Sequence, residues 1–268
     1  MLKTRILLVV GSLIVIWLIF LLPKVVVDND EKLTQTGDST SAPAANHAEV
    51  PSQIRSSIRA LRVQFQGSTA KEKNAIFADS LANLYQIAGK FDSAAWFAEE
   101  ASKFFNTAES WIKAGDQYYQ AYSFALDQTK QNAYAEKTRE FYQKALDSNP
   151  HNLDIKTKMA MTYLSSGSPM QGITMLREVL AENPKYEPAL FNMGMLSIQS
   201  RQYDRAVERL TELIKINPNH TQAHLLLGIA WMNTGEKDKA REQFIKVKQM
   251  DKDPAVQATA DSYLKDLK

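Results

Sequence analysis

Asn-Pro dipeptides recur at a fixed spacing of 34 residues in the second half of the chain. Their prolines are Pro150, Pro184 and Pro218, within "DSNPHNL", "AENPKYE" and "IKINPNH". A strict period of this length is typical of stacked repeats, because one short supersecondary unit buries its apolar face only against a neighbouring copy. Proline lacks an N–H and disfavours helix in the residue before it, so each Asn-Pro predicts the end of one unit.

Small residues recur at matching places within these units. In the predicted first helices, where they would let a second helix approach closely, they are Ala82, Gly115, Ala160, Gly194 and Gly228. In the predicted second helices they are Ala94, Ala206 and Ala240. Gly172 and Thr138 stand where a second-helix alanine is expected. A glycine inside a helix costs about 1 kcal/mol relative to alanine, and both departures are expected to weaken their units without abolishing them.

Two segments combine these small residues with aromatic ones. "WIKAGDQY", from Trp111 to Tyr118, and "AREQF", with Ala240 and Phe244, resemble the tetratricopeptide repeat, whose pattern is W-x2-L-G-x2-Y, then A-x3-F, then proline. The resemblance covers about residues 75–252. It implies an all-α fold, with an α-solenoid of about five stacked helix pairs.

The repeat spacing predicts the boundaries of the units. The predicted solenoid spans 75–254, divided as 75–107, 108–152, 153–186, 187–220 and 221–254. The second unit is 45 residues long, and its excess around "AYSFALDQTKQNAY" predicts lengthened helices. A final helix over 255–268 carries one apolar stripe and predicts the cap that an open-ended solenoid requires.

A leading helix and turn are predicted ahead of the units, over 53–74. The apolar residues that fall on one helical stripe of this helix are Ile54, Ile58, Leu61 and Phe65. Gly67 is expected to end the helix. Thr69 and Glu72 then predict a capping box at the start of the next helix.

The amino-terminal region contains an uncharged apolar stretch, Ile6–Leu22, of 17 residues. At a rise of about 1.5 Å per residue it spans about 26 Å, enough for a membrane. The stretch is longer than a typical signal-peptide core and no small-residue cleavage motif follows it, which favours an uncleaved signal anchor over a cleaved signal peptide or a buried helix. We therefore predict a transmembrane signal anchor over 1–27 and a flexible tether over 28–52, which is rich in small polar residues.

The charges around this stretch predict its orientation. Lys3 and Arg5 precede it, whereas Lys24 after it is soon followed by Asp28 and Asp30. The positive-inside rule therefore places the amino terminus in the cytoplasm and the repeats across the membrane. Resemblance to anchored bacterial repeat proteins implies a single pass through the bacterial inner membrane, with the repeats in the periplasm.

Composition and motifs argue against several functional classes. Without Lys3, Arg5 and Lys24 the chain has 29 basic and 30 acidic residues, which does not suit a nucleic-acid binder. The absence of cysteine excludes disulfides and thiolate chemistry. His220 and His224 are four residues apart, but no glutamate follows His220 as in a zinc-binding HExxH motif. We therefore expect no enzyme, no metal, no cofactor and no small-molecule substrate.

The resemblance places a peptide-binding groove on the first helices of the repeats. In the last three units the matching residues are Met161, Leu164, Phe191, Asn192, Met195, Ile198, Leu225, Ile229, Met232 and Asn233. Most are large and apolar, and unbranched methionine side chains adapt to varied partners, so an apolar or amphipathic segment is the expected ligand. The matching residues of the second unit are more polar, namely Glu109, Ile112, Asp116, Tyr119 and Gln120. Two alternatives remain open: these side chains pack against the neighbouring repeat, or the chain's own helix at 54–66 fills the groove.

These features predict a membrane-anchored scaffold that binds protein or peptide segments. Resemblance to anchored periplasmic repeat proteins implies a chaperone-like protein or an assembly adaptor for envelope proteins. The alternative is a dedicated subunit of a machine such as cytochrome c maturation, which holds a segment of the apoprotein.

Overall fold

The computed structural model describes residues 50–165 and 167–267, and every regular element in these ranges is an α-helix. The helices are α1 (Ser52–Gly67), α2 (Lys71–Ile87), α3 (Phe91–Phe105), α4 (Ala108–Phe124), α5 (Gln128–Ser148), α6 (Leu153–Leu164), α7 (Pro169–Glu182), α8 (Glu187–Gln199), α9 (Tyr203–Ile216), α10 (Thr221–Asn233), α11 (Lys237–Met250) and α12 (Pro254–Asp266). The predicted anchor over 1–27 and nearly all of the tether over 28–52 lie outside the described residues. None of the helices described is long and apolar enough to cross a membrane.

The helices form five pairs, each joined by a short turn. The pairs are α2 with α3, α4 with α5, α6 with α7, α8 with α9, and α10 with α11. The second helix of each pair also packs on the first helix of the next pair, and α12 packs on α11. This arrangement confirms the predicted all-α solenoid for the described part of the chain.

Glycines in the first helices make room for large side chains of the second helices. A Cβ atom added to Gly194 would lie 2.7 Å from the Leu210 side chain, and one added to Gly228 would lie 2.6 Å from the Phe244 ring. Leu210 and Phe244 are fully buried. The small residue therefore lets the partner helix insert a large apolar side chain, as the sequence pattern predicted.

Gly172 in α7 has a different role from the one expected. A Cβ atom on Gly172 would lie 2.5 Å from the backbone oxygen of Ala160 and 2.9 Å from Cγ of Leu164. A backbone atom cannot move aside as the tip of a flexible side chain does. The glycine therefore permits the close contact between α6 and α7, and its effect on the stability of this pair stays a prediction.

The Asn-Pro dipeptides form one recurring turn between pairs. Asn149, Asn183 and Asn217 follow the last residues of α5, α7 and α9. In each turn the asparagine carbonyl accepts a hydrogen bond from the N–H three residues on, and its side-chain oxygen accepts one from the N–H two residues on. The asparagine thus closes the turn on its own backbone, which explains why it precedes the proline in each unit.

The leading helix α1 packs at the amino-terminal end of the solenoid. Its predicted stripe contributes Ile58, Leu61 and Phe65 to the first apolar core. Because it packs on α2, α1 stands in the place of a second helix from a preceding pair. It therefore does not fill the groove of the last three pairs.

The start of α2 differs from the sequence prediction. α2 begins at Lys71 with Ala70 as its N-cap, and no side chain caps it. The capping box predicted for Thr69 and Glu72 is wrong. The chain instead forms a capping box at the start of α4, between Thr107 and Ser110.

The second pair is extended in its helices. α4 has 17 residues and α5 has 21, and only three residues, 125–127, separate them. Thr138 of α5 is fully buried, and its hydroxyl donates to the Tyr134 carbonyl at 2.8 Å, which satisfies the buried polar group.

Candidate functional site

The first helices of successive pairs lie side by side and form one surface, which we call the first-helix face. α4 contacts α6, α6 contacts α8, and α8 contacts α10. Polar side chains connect α2 to α4 at the start of this face. All the predicted groove residues lie on α6, α8 and α10, which are helices of the first-helix face.

The amino-terminal half of the first-helix face is polar and internally paired. Lys113 Nζ lies 2.5 Å from Asp79 Oδ1, which links α4 to α2. Asp116 accepts hydrogen bonds from Lys158 and from the Tyr142 hydroxyl, each at 2.7 Å. These charges already have partners within the protein, so a ligand here would have to compete with existing ion pairs.

The other residues predicted for this polar stretch differ in burial and in their contacts. Glu109 is exposed, whereas Gln120 is half-buried. Ile112 and Tyr119 pack against the apolar core between the second and third pairs. The stretch is therefore a mixture of structural contacts, and we do not assign a ligand to it.

Six of the ten predicted groove residues contribute to packing within the solenoid. Leu164 packs in the core of the third pair, and Phe191 and Ile198 pack in the core of the fourth. The remaining three, which pack around Phe244 at the carboxy-terminal end, are Leu225, Ile229 and Met232. All six remain partly accessible, so each serves the fold and also contributes surface.

The other four predicted groove residues are not part of these apolar cores. Met161 and Met195 are half-buried and lie outside the apolar cores of the described residues. Asn192 is half-buried, and exposed Asn233 donates its side-chain N–H to the Ile229 carbonyl at 2.8 Å. Met161 and Met195 therefore supply the apolar surface least committed to internal packing.

An open cleft of about 590 Å³ adjoins the start of α8. It is lined by Lys185, Tyr186, Glu187, Pro188, Phe191, Asn192 and His220. The Phe191 ring stacks on the His220 imidazole, with centroids 5.1 Å apart. Two predicted groove residues, Phe191 and Asn192, thus extend the first-helix face into a recess with apolar and hydrogen-bonding groups.

His220 was not among the predicted groove residues. Its Nδ1 accepts a hydrogen bond from the Ala223 N–H at 3.1 Å and so caps α10. The repeat period could have predicted that His220 lies at the start of a first helix. Asn152, Tyr186 and His220 are spaced by 34 residues and are the N-caps of three successive first helices. The side chain that caps one first helix lies near the first helix of the preceding unit, as His220 of α10 lies against Phe191 of α8.

His224 belongs to the interior instead. It is buried, and its two ring nitrogens lie 2.7 Å from Gln243 Oε1 and 2.9 Å from the Pro218 carbonyl oxygen. The imidazole thus connects the last Asn-Pro turn to α11. Within residues 50–165 and 167–267, no group of three metal-ligating side chains is placed to hold a metal ion.

A partly buried ionic group joins the first two pairs. The Tyr118 hydroxyl donates to Glu99, and Lys137 Nζ lies 3.2 Å from the same carboxylate. Burial opposes the charged form of Glu99, but the hydrogen bonds from Tyr118 and Lys137 outweigh it and lower the pKa of Glu99. Burial and the adjacent carboxylate raise the pKa of Tyr118. Both groups therefore hold fixed protonation states near neutral pH, as structural groups do.

Comparison with known proteins supports this repeat assignment. Residues 197–260 match the family model described as tetratricopeptide repeat. None of the curated proteins matches the sequence.

Solved structures show the same fold at low sequence identity. A tetratricopeptide repeat protein from Parabacteroides merdae is 16% identical, with a TM-score of 0.59, covering 80% of this chain and 82% of that one. A thermophilic repeat protein from Thermus thermophilus is 17% identical, with a TM-score of 0.52, covering 71% and 98%. The MamA protein is 19% identical, with a TM-score of 0.50, covering 66% and 91%. The family model thus matches residues 197–260, and the described part of the chain has the fold of tetratricopeptide solenoids.

Proposed function

We propose that this protein binds an apolar or amphipathic segment of another protein on the carboxy-terminal half of the first-helix face. The observation that carries the proposal is the accessible apolar surface of Met161 and Met195, which lie on the same row of first helices as Phe191 of the cleft. Methionine side chains are unbranched and polarizable, so they adjust to ligands of different shape. The asparagine and histidine at the cleft supply hydrogen bonds that fix the orientation of a bound segment.

Two features support binding over internal packing as the role of this surface. The two methionines lie outside the apolar cores of the described residues, although their neighbours Leu164 and Ile198 lie within them. The helix α1, the candidate internal ligand, packs instead against the first core.

The binding site would serve an anchored scaffold. We propose that Ile6–Leu22 spans the bacterial inner membrane and that the solenoid lies in the periplasm, where the protein acts as a chaperone or assembly adaptor for envelope proteins. A dedicated subunit of a cytochrome c maturation machine is the alternative. Recovery of many clients from a pull-down would favour the adaptor, whereas a single stoichiometric partner would favour the dedicated subunit.

Site-specific crosslinking tests the binding surface. A photoreactive residue at Met195 should form adducts with a bound segment in intact cells, and one at Met161 should capture the same partner. The matched control is Asp204, which is exposed at the start of the second helix α9. Equal adducts from Met195 and Asp204 would contradict the proposed surface.

Reporter fusions test the orientation. A reporter that is active only outside the cytoplasm should be active when fused after Lys268, because Lys3 and Arg5 precede the apolar stretch. A cytoplasmic reporter at the same position should be inactive. The opposite pattern would reverse the orientation, and a mature protein that begins after Leu22 would remove the anchor.

A further inference from the structure

Large apolar side chains are exposed along one edge of the solenoid. This edge, which we call the turn edge, consists of the turns that join the first and second helices of each pair. Ile87 is 66% exposed, Phe124 is 65% exposed, Met170 is 63% exposed and Leu126 is fully exposed. All four border the turns of the first three pairs. Clustered exposed apolar residues of this kind typically mark an interaction surface.

Contacts between neighbouring turns make this surface continuous. The Phe91 ring, at the start of α3, stacks on the Phe124 ring at the end of α4, with centroids 4.5 Å apart. The Tyr122 hydroxyl lies 2.5 Å from the Ser165 hydroxyl, which connects the second turn to the third. The corresponding turns of the fourth and fifth pairs, 200–202 and 234–236, are polar. The apolar part of the turn edge is thus confined to the amino-terminal half of the solenoid.

The leading helix reaches this same edge. Phe65 packs on Phe97 in the first half of α3, with ring centroids 5.5 Å apart. Arg62 donates to the Tyr85 hydroxyl at 3.4 Å, close to the end of α2. The first half of α3 and the end of α2 both adjoin the turn edge. These contacts hold α1 against α2 and α3.

The direction of α1 places its beginning at the turn edge. Only three residues separate Gly67 from the start of α2 at Lys71, at the opposite edge, so α1 runs away from the turn edge as the chain proceeds. Ser52 precedes Arg62 by ten residues, which corresponds to about 15 Å along the helix. α1 has 16 residues and α2 has 17, and Ile58 packs against the first core, so the beginning of α1 lies level with the apolar turns.

This helix is basic. It carries Arg55, Arg59 and Arg62, all exposed, and no acidic residue. The apolar turns themselves carry both signs of charge, with Lys90 near Asp92. The net positive charge of this region therefore comes from α1, and it complements an anionic surface.

We propose that the turn edge of the first three pairs docks on a membrane surface containing anionic lipid headgroups. The inference rests on the anchor of the proposed function. In the sequence, 29 residues separate Leu22 from Ser52, so the proposed anchor would keep the basic end of α1 close to the bilayer. Tethering at this range gives an effective concentration on the order of millimolar, so weak docking by a few apolar side chains and arginines is enough.

Depth-sensitive fluorescence tests the docking. The chain has no cysteine, so Leu126→Cys places a single fluorophore on the apolar edge. Glu236→Cys is the matched control, at the turn of the fifth pair. The full chain is reconstituted into vesicles of phosphatidylcholine and phosphatidylglycerol that carry a nitroxide in the headgroup region. Quenching should be several-fold stronger at position 126 than at position 236.

Charge variants test the role of anionic lipid. Arg55→Gln with Arg59→Gln should weaken docking by about fivefold per arginine, which corresponds to about 1 kcal/mol each near an anionic surface. The control pair, Lys237→Gln with Lys265→Gln, removes the same charge from exposed positions at the far end and should have no effect. Vesicles of phosphatidylcholine alone should reduce quenching at position 126 to the level of the arginine variant.

The outcomes separate docking from anchoring. If alkaline extraction removes the chain from the vesicles, the anchor is wrong and the docking proposal falls with it. If the chain is retained but positions 126 and 236 are quenched equally, docking alone is overturned. Shielding of position 126 that grows with protein concentration and ignores the lipid quencher would assign the edge to a second copy of the chain, which also overturns the proposal.

Discussion

Gly172→Ala should destabilise the protein, although the same substitution inside an ordinary helix is stabilising. Alanine gains about 1 kcal/mol over glycine in helix propensity. At this site the added Cβ atom would lie 2.5 Å from the Ala160 oxygen. Separating two packed helices to relieve such overpacking typically costs 1–3 kcal/mol, and here the obstructing atom belongs to the backbone of α6. We expect a net loss of up to about 2 kcal/mol.

Urea and thermal unfolding of the full chain in mild detergent, followed by helical circular dichroism, measure this effect. The midpoint temperature should fall by about 2–4 °C for each kcal/mol lost. Gly67→Ala is the matched control, because no atom lies within 4 Å of a Cβ added there. A Gly172→Ala variant as stable as the control would show that α6 and α7 are not in the described contact.

The contrast between Gly172 and the Asn-Pro turns shows what the sequence determines. Asn149, Asn183 and Asn217 act through hydrogen bonds two and three residues away, so a local pattern is sufficient to predict the turn. The role of Gly172 depends on its distance from Ala160, which is twelve residues earlier and on another helix. Residue spacing assigned these two to facing positions, but it could not give the separation of the two backbones.

The capping box illustrates a similar limit. Thr69 and Glu72 have the required residue types and spacing, yet the N-cap of α2 is Ala70. The turn between α1 and α2 must bring Phe65 against Phe97, and this tertiary contact sets where the chain enters the next helix. The local signal was therefore overridden by packing between helices.

The candidate site was predictable in its location but not in its accessibility. The repeat period placed Met161, Met195 and Ile229 at equivalent positions of three first helices. The two methionines remain outside the apolar cores, whereas Ile229 packs on the core to which Tyr263 and Leu264 of the last helix contribute. Ile229 has a different environment because its neighbour is the capping helix rather than another repeat. The repeat period of the sequence does not predict how the helix after the last repeat packs.

Met161→Glu together with Met195→Glu should weaken binding of a partner segment at least tenfold, or about 1.4 kcal/mol. The carboxylates would lie where the apolar side of the segment packs, and removing a charge from water without a partner is costly. The probe is the segment captured by crosslinking at Met195, prepared as a fluorescent peptide and titrated with the full chain in detergent. Circular dichroism should show an intact fold, because both methionines are partly accessible to water in the free protein.

Two further variants make this result decisive. Ile245→Glu with Met250→Glu adds the same charge to partly exposed apolar positions of α11, a second helix, and should leave affinity unchanged. Ile229→Glu should lower the unfolding midpoint, because Ile229 packs against the carboxy-terminal core. If the methionine double variant unfolds as Ile229→Glu does, Met161 and Met195 belong to the interior. If it folds and retains full affinity, the partner binds elsewhere, and the partly accessible tyrosines of the lengthened second pair, Tyr119, Tyr122 and Tyr134, become the next surface to test.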